Sequence, residues 1–374
     1  MSYQDGWAAM NLRMPPRIPR VEASVNWRLI KAVTGIDVTA DSDGDTRWRG
    51  MKEFIRTWNW DMVFNSAVSY NVLEKKRTSM GHAEYAEDGR DFNRNIYCPF
   101  KSLHDPRSGS VEEVLAFDPW ETYGPQDEAA AIKRFNDSYG AMHREIPDAV
   151  TMTGIYTTLM SGMIAIFGWD MLLTAAGTDP DGFGEVVNRY ATWIAQYYSA
   201  LAKSETPVVY SHDDLVWTAG AFIRPAWYRR YIFPNLGKLW APLVEAGKSL
   251  HDPRSGKIIF FCDGNYTEFL DDIAACGNAG FWFEVFTNLD EVVESLHDPR
   301  SGKFGRTHVI IGNGDTRVLT FGTRKEIRAE VERCMAAGKN CPGYFMCISG
   351  HIPANVPVEN AIYYNEVYQK LSRR

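Results

Sequence analysis

Short runs of apolar residues alternate with amphipathic segments along this chain, above all in its second half. Runs that are apolar throughout, each followed by a helical segment, are typical of a parallel sheet whose two faces are both covered by helices. We therefore predict buried strands over residues 62–66, 150–155, 207–210, 257–262, 280–284, 308–312 and 343–348.

The segments between these strands carry the spacing of apolar residues that indicates amphipathic helices. The clearest helix start is a capping box formed by Thr323 and Glu326, which precedes a run of apolar residues on one face and Gly338 as a stop. Further helices are predicted over residues 162–176, 183–203, 226–247, 266–276, 289–294 and 358–371.

Six or seven such strand–helix units favour a closed (β/α)8 barrel, or TIM barrel, over an open α/β sheet. A nucleotide-binding fingerprint is missing, since Gly312 and Gly314 lack the third glycine of a dinucleotide loop. We predict one barrel domain over residues 1–374, with an N-terminal extension at 1–58 and a hairpin inserted at 81–100.

Charge and composition narrow the partners. The chain has 374 residues, with 40 Lys and Arg against 47 Asp and Glu, so its net charge is −7. Nucleic acid is not an expected partner, because phosphate binding needs a basic surface. No apolar run reaches the roughly 18 residues of a membrane span, and the first twenty residues contain no apolar leader core. The six cysteines are scattered, as in a reducing cytosol, so we expect a cytoplasmic protein without membrane contact.

The octapeptide SLHDPRSG occurs three times, at residues 102–109, 249–256 and 295–302. The copies are identical and irregularly spaced, so they are not a solenoid, and we interpret them as insertions into an older chain. Their His-Asp pairs could be metal sites. Ser, Pro, Gly and Asp are turn residues, however, which favours surface loops. The second and third copies precede strands, so we expect them on the barrel face opposite the chemistry.

Polar side chains follow five of the predicted strands, at the ends where barrel enzymes carry their chemistry. Five polar strand ends that converge on one mouth predict a site. The candidates for acid–base catalysis are His351, Asp214, His212 and Asp315.

Two of the strand-end residues also suit a metal. Cys262 and His351 are candidate zinc ligands, because thiolate and imidazole both suit Zn²⁺. A catalytic zinc takes three protein ligands and keeps one position open. Glu284, Asp214 or Asp315 could supply the third ligand, and Glu284 is the residue we assign.

Aromatic residues make up 13% of the chain, and several lie near the predicted mouth. Most aromatic side chains fill cores, but an aromatic-lined pocket suits a flat apolar substrate. We predict that Trp217, Phe260 and Trp282, together with Asn313, contact the substrate.

Several segments resemble the uroporphyrinogen decarboxylase-like superfamily, in order and at matching spacing once the octapeptides are removed. The densest are IIGNGDTRVLTFGTRKEIRAEVERC and SGHIPANVPVENAIYYNEV, preceded by SHDDLVWTAGAFIRPAWYRRYIFPNLGKLW and FFCDGNYTEFLDDIAACG. The resemblance implies the barrel fold and one of two activities, decarboxylation of a porphyrinogen or methyl transfer to a corrinoid.

The decarboxylase branch carries an arginine-rich motif near its N-terminus that grips substrate carboxylates, and residues 17–26 lack that motif. A substrate with many carboxylates needs fixed guanidinium groups, so the methyltransferase branch is the better match. The resemblance implies that its thiol-methylating members carry two kinds of zinc ligand, a His-x-Cys sequence at a strand end and a cysteine late in the chain. Here Cys262 is retained, the histidine is missing, and His351 takes the late position.

The resemblance therefore implies a corrinoid-dependent methyltransferase of the O-demethylase type. A methyl group would pass from a small methylated substrate, such as a methoxy-aromatic compound or a methylamine, to the corrinoid (cobalamin) of a separate corrinoid protein. The corrinoid must lie on a partner because this chain has no Asp-x-His-x-x-Gly motif. Zinc would act as a Lewis acid on the leaving atom; without it, His351 or an aspartate would protonate that atom.

Two other functions stay open. A uroporphyrinogen decarboxylase-type lyase is the alternative, and the late His351 supports it. A barrel that only binds a corrinoid or tetrapyrrole is a third reading, against which the five polar strand ends argue. The chain could act as a homodimer.

Overall fold

The computed structural model describes residues 1–74, 77–78, 110–246, 257–297 and 307–374. Seven parallel strands form one sheet, in which they lie side by side in the order in which they occur along the chain. They are β1 (Met62–Val68), β2 (Val150–Ile155), β3 (Val208–His212), β6 (Lys257–Phe261), β7 (Gly280–Trp282), β8 (Val309–Ile311) and β9 (Tyr344–Phe345), and β4 (Val216–Trp217) and β5 (Gly220–Ala221) form a separate antiparallel hairpin. All seven predicted strands are present.

Residues 17–21, in the predicted N-terminal extension, take the place of an eighth strand in the barrel, and we call this segment the eighth stave. The carbonyl of Pro19 accepts a hydrogen bond from Met346 N at 2.9 Å, and Val21 N donates to the carbonyl of Met346 at 3.1 Å. On the other side, Asp61 N donates to the carbonyl of Arg20 at 2.8 Å. This segment thus joins the last strand to the first, and the predicted TIM-barrel fold is confirmed.

Side chains alternate between two faces along each strand. The inward set is large and apolar, and includes Met152, Tyr210, Ile259, Phe261, Trp282, Ile311 and Phe345. The other set, including Val209, Ile258, Phe260, Phe281 and Ile310, packs against the surrounding helices. Ala9 and Met10 are buried with the inward set, so the first helix closes the end of the barrel where the strands begin.

Helices cover the outside of the sheet and, through the first helix, the end where the strands begin. They are α1 (Tyr3–Met10), α2 (Trp27–Thr34), α3 (Gly44–Thr57), α4 (Val111–Ala116), α5 (Pro119–Tyr123), α6 (Glu128–Glu145), α7 (Met160–Thr178), α8 (Pro180–Ala202), α9 (Pro225–Tyr231), α10 (Phe233–Glu245), α11 (Leu270–Ala275), α12 (Leu289–His297), α13 (Thr316–Phe321), α14 (Arg324–Gly338) and α15 (Val358–Leu371). The capping box of Thr323 and Glu326 is confirmed at the start of α14. The single helix predicted over 226–247 is wrong: Pro234 sits in the first turn of a second helix, α10, because a proline cannot donate the bond that would continue the first.

One helix in the described part of the chain, α7, is long and apolar enough to cross a membrane, although no apolar run of that length was predicted from the sequence. In the barrel it is a core helix, since 72% of its apolar window is buried. Gly168 interrupts it with a positive φ of 75°. Its apolar character is therefore accounted for by packing against its neighbours α4 and α8.

The hairpin predicted at 81–100 and the octapeptides at 102–109 and 249–256 lie outside the described residues. Of the third octapeptide, residues 295–297 are described and extend α12 to His297. The placement of the copies away from the chemistry stays a prediction.

Glu22 gives the fold a pH dependence. Its carboxylate is buried and accepts hydrogen bonds from the Tyr364 hydroxyl and from Ile348 N. Burial raises the pKa of Glu22 from its usual 4.5 to about 7. Between these values the folded protein holds a proton that the unfolded chain releases, so stability falls as the pH rises through this window. We expect this group to cost about 3 kcal/mol by pH 7.5.

The measurement is urea unfolding of the wild type and of Glu22→Gln at pH 4.5 and pH 7.5. The variant should lose about 3 kcal/mol less than the wild type over this interval. Glu121→Gln is the control, because that side chain is exposed and its variant should follow the wild type. Equal losses in Glu22→Gln and the wild type would contradict the assignment.

Candidate active site

The carboxyl ends of the strands bring three chemistry-bearing side chains together. His212 ends β3, Asp214 follows it, and Asp263 follows β6. One ligand atom from each of the three lies within 4.8 Å of the others. We call this group the mouth triad. His212 and Asp214 were predicted site residues, whereas Asp263 was not singled out.

The imidazole of His212 has a defined orientation. Its ring stacks on Tyr156 at 4.0 Å between centroids and 9° between planes. Nδ1 lies 3.2 Å from the carbonyl oxygen of Tyr156, and Nε2 lies 3.5 Å from Oδ1 of Asp214. Because a carbonyl oxygen can only accept, Nδ1 carries a proton. In the neutral ring, Nε2 therefore presents a lone pair to Asp214.

Ser161, in the first turn of α7, fixes the second member of the triad. Its hydroxyl donates to Oδ2 of Asp214 at 2.9 Å and accepts from Asp214 N at 2.8 Å. The same hydroxyl lies 3.2 Å from Nδ1 of His212. Ser161 thus contacts both the histidine and the aspartate. Sequence reasoning missed it, and its only signal is a hydroxyl at the start of an otherwise apolar helix.

Asp213 ties the same loop to α7. Its Oδ1 accepts hydrogen bonds from Ser161 N at 2.8 Å and Leu159 N at 3.2 Å. Burial raises the pKa of Asp213 to about 7, although these N–H groups favour its charged form. The carboxyl therefore anchors the helix N-terminus that carries Ser161.

Glu284 lies close enough to the mouth triad for the charges of Asp263 and Asp214 to affect its pKa. Its Oε2 accepts a hydrogen bond from Gly264 N at 3.0 Å. Burial, with the negative charge of Asp263 as a further cause, raises the pKa of Glu284 well above its usual range. A carboxyl group of this kind holds a proton near neutral pH and can donate it. A Cβ placed on Gly350 would lie 3.3 Å from Oε1 of Glu284, so the loop that carries His351 passes beside it.

Cys262 neighbours the mouth triad without belonging to it. It belongs to the buried layer between the sheet and the helices. Its Sγ accepts from Leu215 N at 3.4 Å and donates to the carbonyl oxygen of Asp263 at 3.2 Å. Burial raises the pKa of the Cys262 thiol, in keeping with its role as a hydrogen-bond donor. Strand alternation explains the placement, since Phe261 faces the interior and its neighbour Cys262 faces the opposite way.

The predicted substrate contacts divide between the two faces of the sheet. Trp282 faces the interior, with its ring 4.4 Å from that of Phe261. Phe260 is packed in the outer layer, 5.8 Å from the ring of Trp240, so it does not line the barrel. Trp217, on the β4–β5 hairpin, is 49% exposed and therefore reachable from solvent.

Asn313 and Asp315 have local structural partners. The side-chain amide of Asn313 donates to the carbonyls of Glu284 at 3.0 Å and Thr287 at 2.8 Å. Asp315 accepts from Arg317 N at 2.8 Å and so caps α13, and it also pairs with the Arg317 guanidinium at 2.8 Å. His351 follows β9 and is half-buried, but it is not part of the mouth triad.

A group of aromatic side chains lies inside the barrel. Phe64 contacts Tyr210, Phe261 and Trp282 at ring distances of 5.8, 5.5 and 5.5 Å. Tyr210 belongs to this group and its ring lies 6.2 Å from that of His212, so the group reaches the mouth triad. The arrangement offers apolar contact area beside a few polar groups, which is the composition of small-molecule sites.

Gly264 lets the loop of Asp263 pass close to the β4–β5 hairpin. Its φ is +82°, and an added Cβ would lie 2.5 Å from the carbonyl oxygen of Trp217. We expect Gly264→Ala to lower the free energy of unfolding by about 2–4 kcal/mol, from backbone strain and overpacking together. Chemical denaturation is the measurement.

The control for Gly264→Ala is Gly35→Ala. Gly35 has a φ of +72° but no atom within 4 Å of an added Cβ, so this variant carries only the backbone strain. If both variants lose the same stability, the close approach to Trp217 plays no part.

A parallel barrel with acid–base side chains gathered at the carboxyl ends of its strands is the arrangement found in barrel enzymes. The family model for uroporphyrinogen decarboxylase (URO-D) matches residues 109–371. The chain belongs to this family.

Comparison with solved structures agrees on the fold. A methyltransferase from Methanosarcina mazei superposes with a TM-score of 0.63 and covers 98% of this chain and 98% of its own. The two sequences are 13% identical, so the similarity concerns the barrel. No curated protein sequence matches the chain.

Proposed function

We propose that this protein is a methyltransferase that moves a methyl group from a small methylated substrate to the corrinoid of a separate corrinoid protein. The observation that carries the proposal is the acidic mouth, where His212 lies beside the carboxyl groups of Asp214 and Asp263, and where the pKa of Glu284 responds to both of these charges. Such a mouth suits a substrate with one or two small polar groups. The fold shared with a methyltransferase supports the same class.

The arginines of the 17–26 stretch have structural partners. Arg17 pairs with the buried carboxylate of Asp61. Arg20 is fully buried, donates to Asn365 at 2.9 Å and lies over the ring of Tyr368. A substrate with eight carboxylates would need free guanidinium groups, and these two are committed to the fold. This disfavours the decarboxylase alternative, which the family match and the late His351 support.

The residues of the mouth can hold a substrate and manage a proton. Trp282 and Phe261 offer flat apolar surface for a methoxy-aromatic ring, and Trp217 borders the opening. When the methyl–oxygen or methyl–nitrogen bond breaks, the electron pair stays on the leaving atom. Glu284 can protonate that atom, because burial favours its protonated form. The reduced corrinoid of the partner supplies the nucleophile when it is bound.

The zinc set predicted from the sequence needs a thiolate at Cys262. The side chain of Cys262 lies in the apolar layer outside the sheet, and its thiol donates to the carbonyl oxygen of Asp263, so its placement does not fit a metal at the mouth. His351 stays a candidate for proton transfer, and Glu284, which was assigned as a metal ligand from the sequence, takes that role in this proposal. Homodimer formation and a cytoplasmic location without membrane or nucleic-acid partners also stay predictions.

The test is to incubate the purified protein with a reduced corrinoid protein and, separately, methoxy-aromatics, methylamines and betaines. We expect the absorbance of methyl-cobalt to appear with one of these donor classes. A parallel incubation with uroporphyrinogen should release no carbon dioxide. Stepwise loss of carbon dioxide without methyl-cobalt would overturn the proposal in favour of the lyase.

A further inference from the structure

We infer that His212, Asp214 and Asp263 form a binding site for one divalent transition-metal cation. The three residues follow two neighbouring strands of the barrel, β3 and β6. They offer one imidazole nitrogen and two carboxylate oxygens within 4.8 Å of one another. This set shares no residue with Cys262, Glu284 and His351, the zinc ligands assigned from the sequence. It lies at the same mouth as the methyl-transfer proposal, but its test measures metal binding alone.

The orientation of the histidine is that of a metal ligand. Metal-bound histidines commonly donate their other ring N–H to a backbone carbonyl, which fixes the ring and its tautomer. His212 does this with the carbonyl of Tyr156 through Nδ1, and its ring is held flat against Tyr156. Nε2 is thereby directed towards Asp214.

The distance between the first two ligand atoms fits a small cation. Two atoms at about 2.1 Å from a tetrahedral zinc stand about 3.4 Å apart. Nε2 of His212 and Oδ1 of Asp214 are 3.5 Å apart. Because the other carboxylate oxygen of Asp214 accepts from Ser161 at 2.9 Å, the hydroxyl fixes which oxygen turns towards the histidine.

The ligand types select the class of metal. Imidazole suits zinc, iron and nickel, and carboxylates suit harder cations, so one nitrogen with two oxygens favours a first-row divalent cation over Mg²⁺ or Ca²⁺. Three protein ligands leave a coordination position for a substrate atom. A direct ion pair between protonated His212 and Asp214 is the competing explanation of the same distance.

The experiment is calorimetric titration of the full chain, stripped with a chelator, with ZnCl₂ and separately with MgCl₂. We expect one zinc per chain and no saturable magnesium binding at the same concentrations. His212→Ala and Asp263→Asn should each weaken zinc binding at least tenfold. Circular dichroism and chelator-treated thermal melts of each variant show whether it is folded before its titration is compared.

Cys262→Ser is the matched control, because it alters the neighbouring side chain while keeping the triad, and it should retain the zinc affinity of the wild type. A wild type that binds no zinc would overturn the site in favour of the ion pair. Loss of zinc binding in Cys262→Ser, together with retention in His212→Ala, would also overturn the site, because the zinc would then be held by other residues. Binding is measured without substrate or corrinoid. Zinc binding without methyl transfer would therefore contradict the proposed function and still support the metal site.

Discussion

Replacing Asp61 with alanine is expected to lower the free energy of unfolding by about 3–5 kcal/mol, the cost of breaking a buried ion pair from one side. The Asp61 carboxylate is fully buried. It accepts hydrogen bonds from Ser2 N at 2.8 Å, from Arg20 N at 3.0 Å and from the guanidinium of Arg17. Alanine would leave Ser2 N and Arg20 N without this acceptor and would remove the buried charge that pairs with Arg17, at the seam where the barrel closes.

The measurement is equilibrium unfolding in urea, with Asp37→Ala as the control. Asp37 also pairs with a cation, Lys31, at 2.5 Å, but both side chains are exposed. An exposed pair is worth about 0–1 kcal/mol, so the control should stay close to the wild type. Similar losses in the two variants would show that the Asp61 contacts do not hold the closure.

The second large effect concerns activity. We expect Asp214→Asn to lower kcat/KM for the methyl donor found in the screen by about 100-fold or more, the usual cost of removing one preorganised electrostatic group from a site. Asparagine keeps the shape and can still contact Ser161. It removes the negative charge beside His212, which is the property that the site needs.

Asp137→Asn is the control for this activity measurement. That carboxylate is exposed on α6, paired with Lys133, and lies outside the mouth. Its variant should keep the wild-type kcat/KM, and both variants should melt within a few degrees of the wild type. Full activity in Asp214→Asn would remove Asp214 from the proposed mechanism.

The strands and most helices could be predicted because local patterns determine them. Continuous apolar runs marked all seven strands of the sheet, and the hydrogen-bonding side chains of Thr323 and Glu326 marked the start of α14. The eighth stave could not be found this way. Residues 17–21 contain two arginines and a proline, and their strand-like role comes from bonds to Met346 and Asp61, which no local pattern encodes.

The candidate site was predictable in part for the same reason. His212 and Asp214 follow a strand end that the sequence shows, and strand ends meet at the mouth of a barrel. The choice of Cys262 over Asp263 followed ligand chemistry, whereas the alternation of side chains decides which residue faces inward. Ser161 contacts Asp214 across 53 positions of sequence, so only the folded chain reveals it.

The position of the eighth stave near the start of the chain also determines when the barrel can close during synthesis. Residues 17–21 leave the ribosome early, and their bonding partner at Met346 is more than three hundred positions later. Until that residue emerges, the nascent sheet keeps open edges, and unpaired strand edges promote association between chains. The seam between the two ends of the barrel is therefore the place where a chaperone would have most to protect during synthesis.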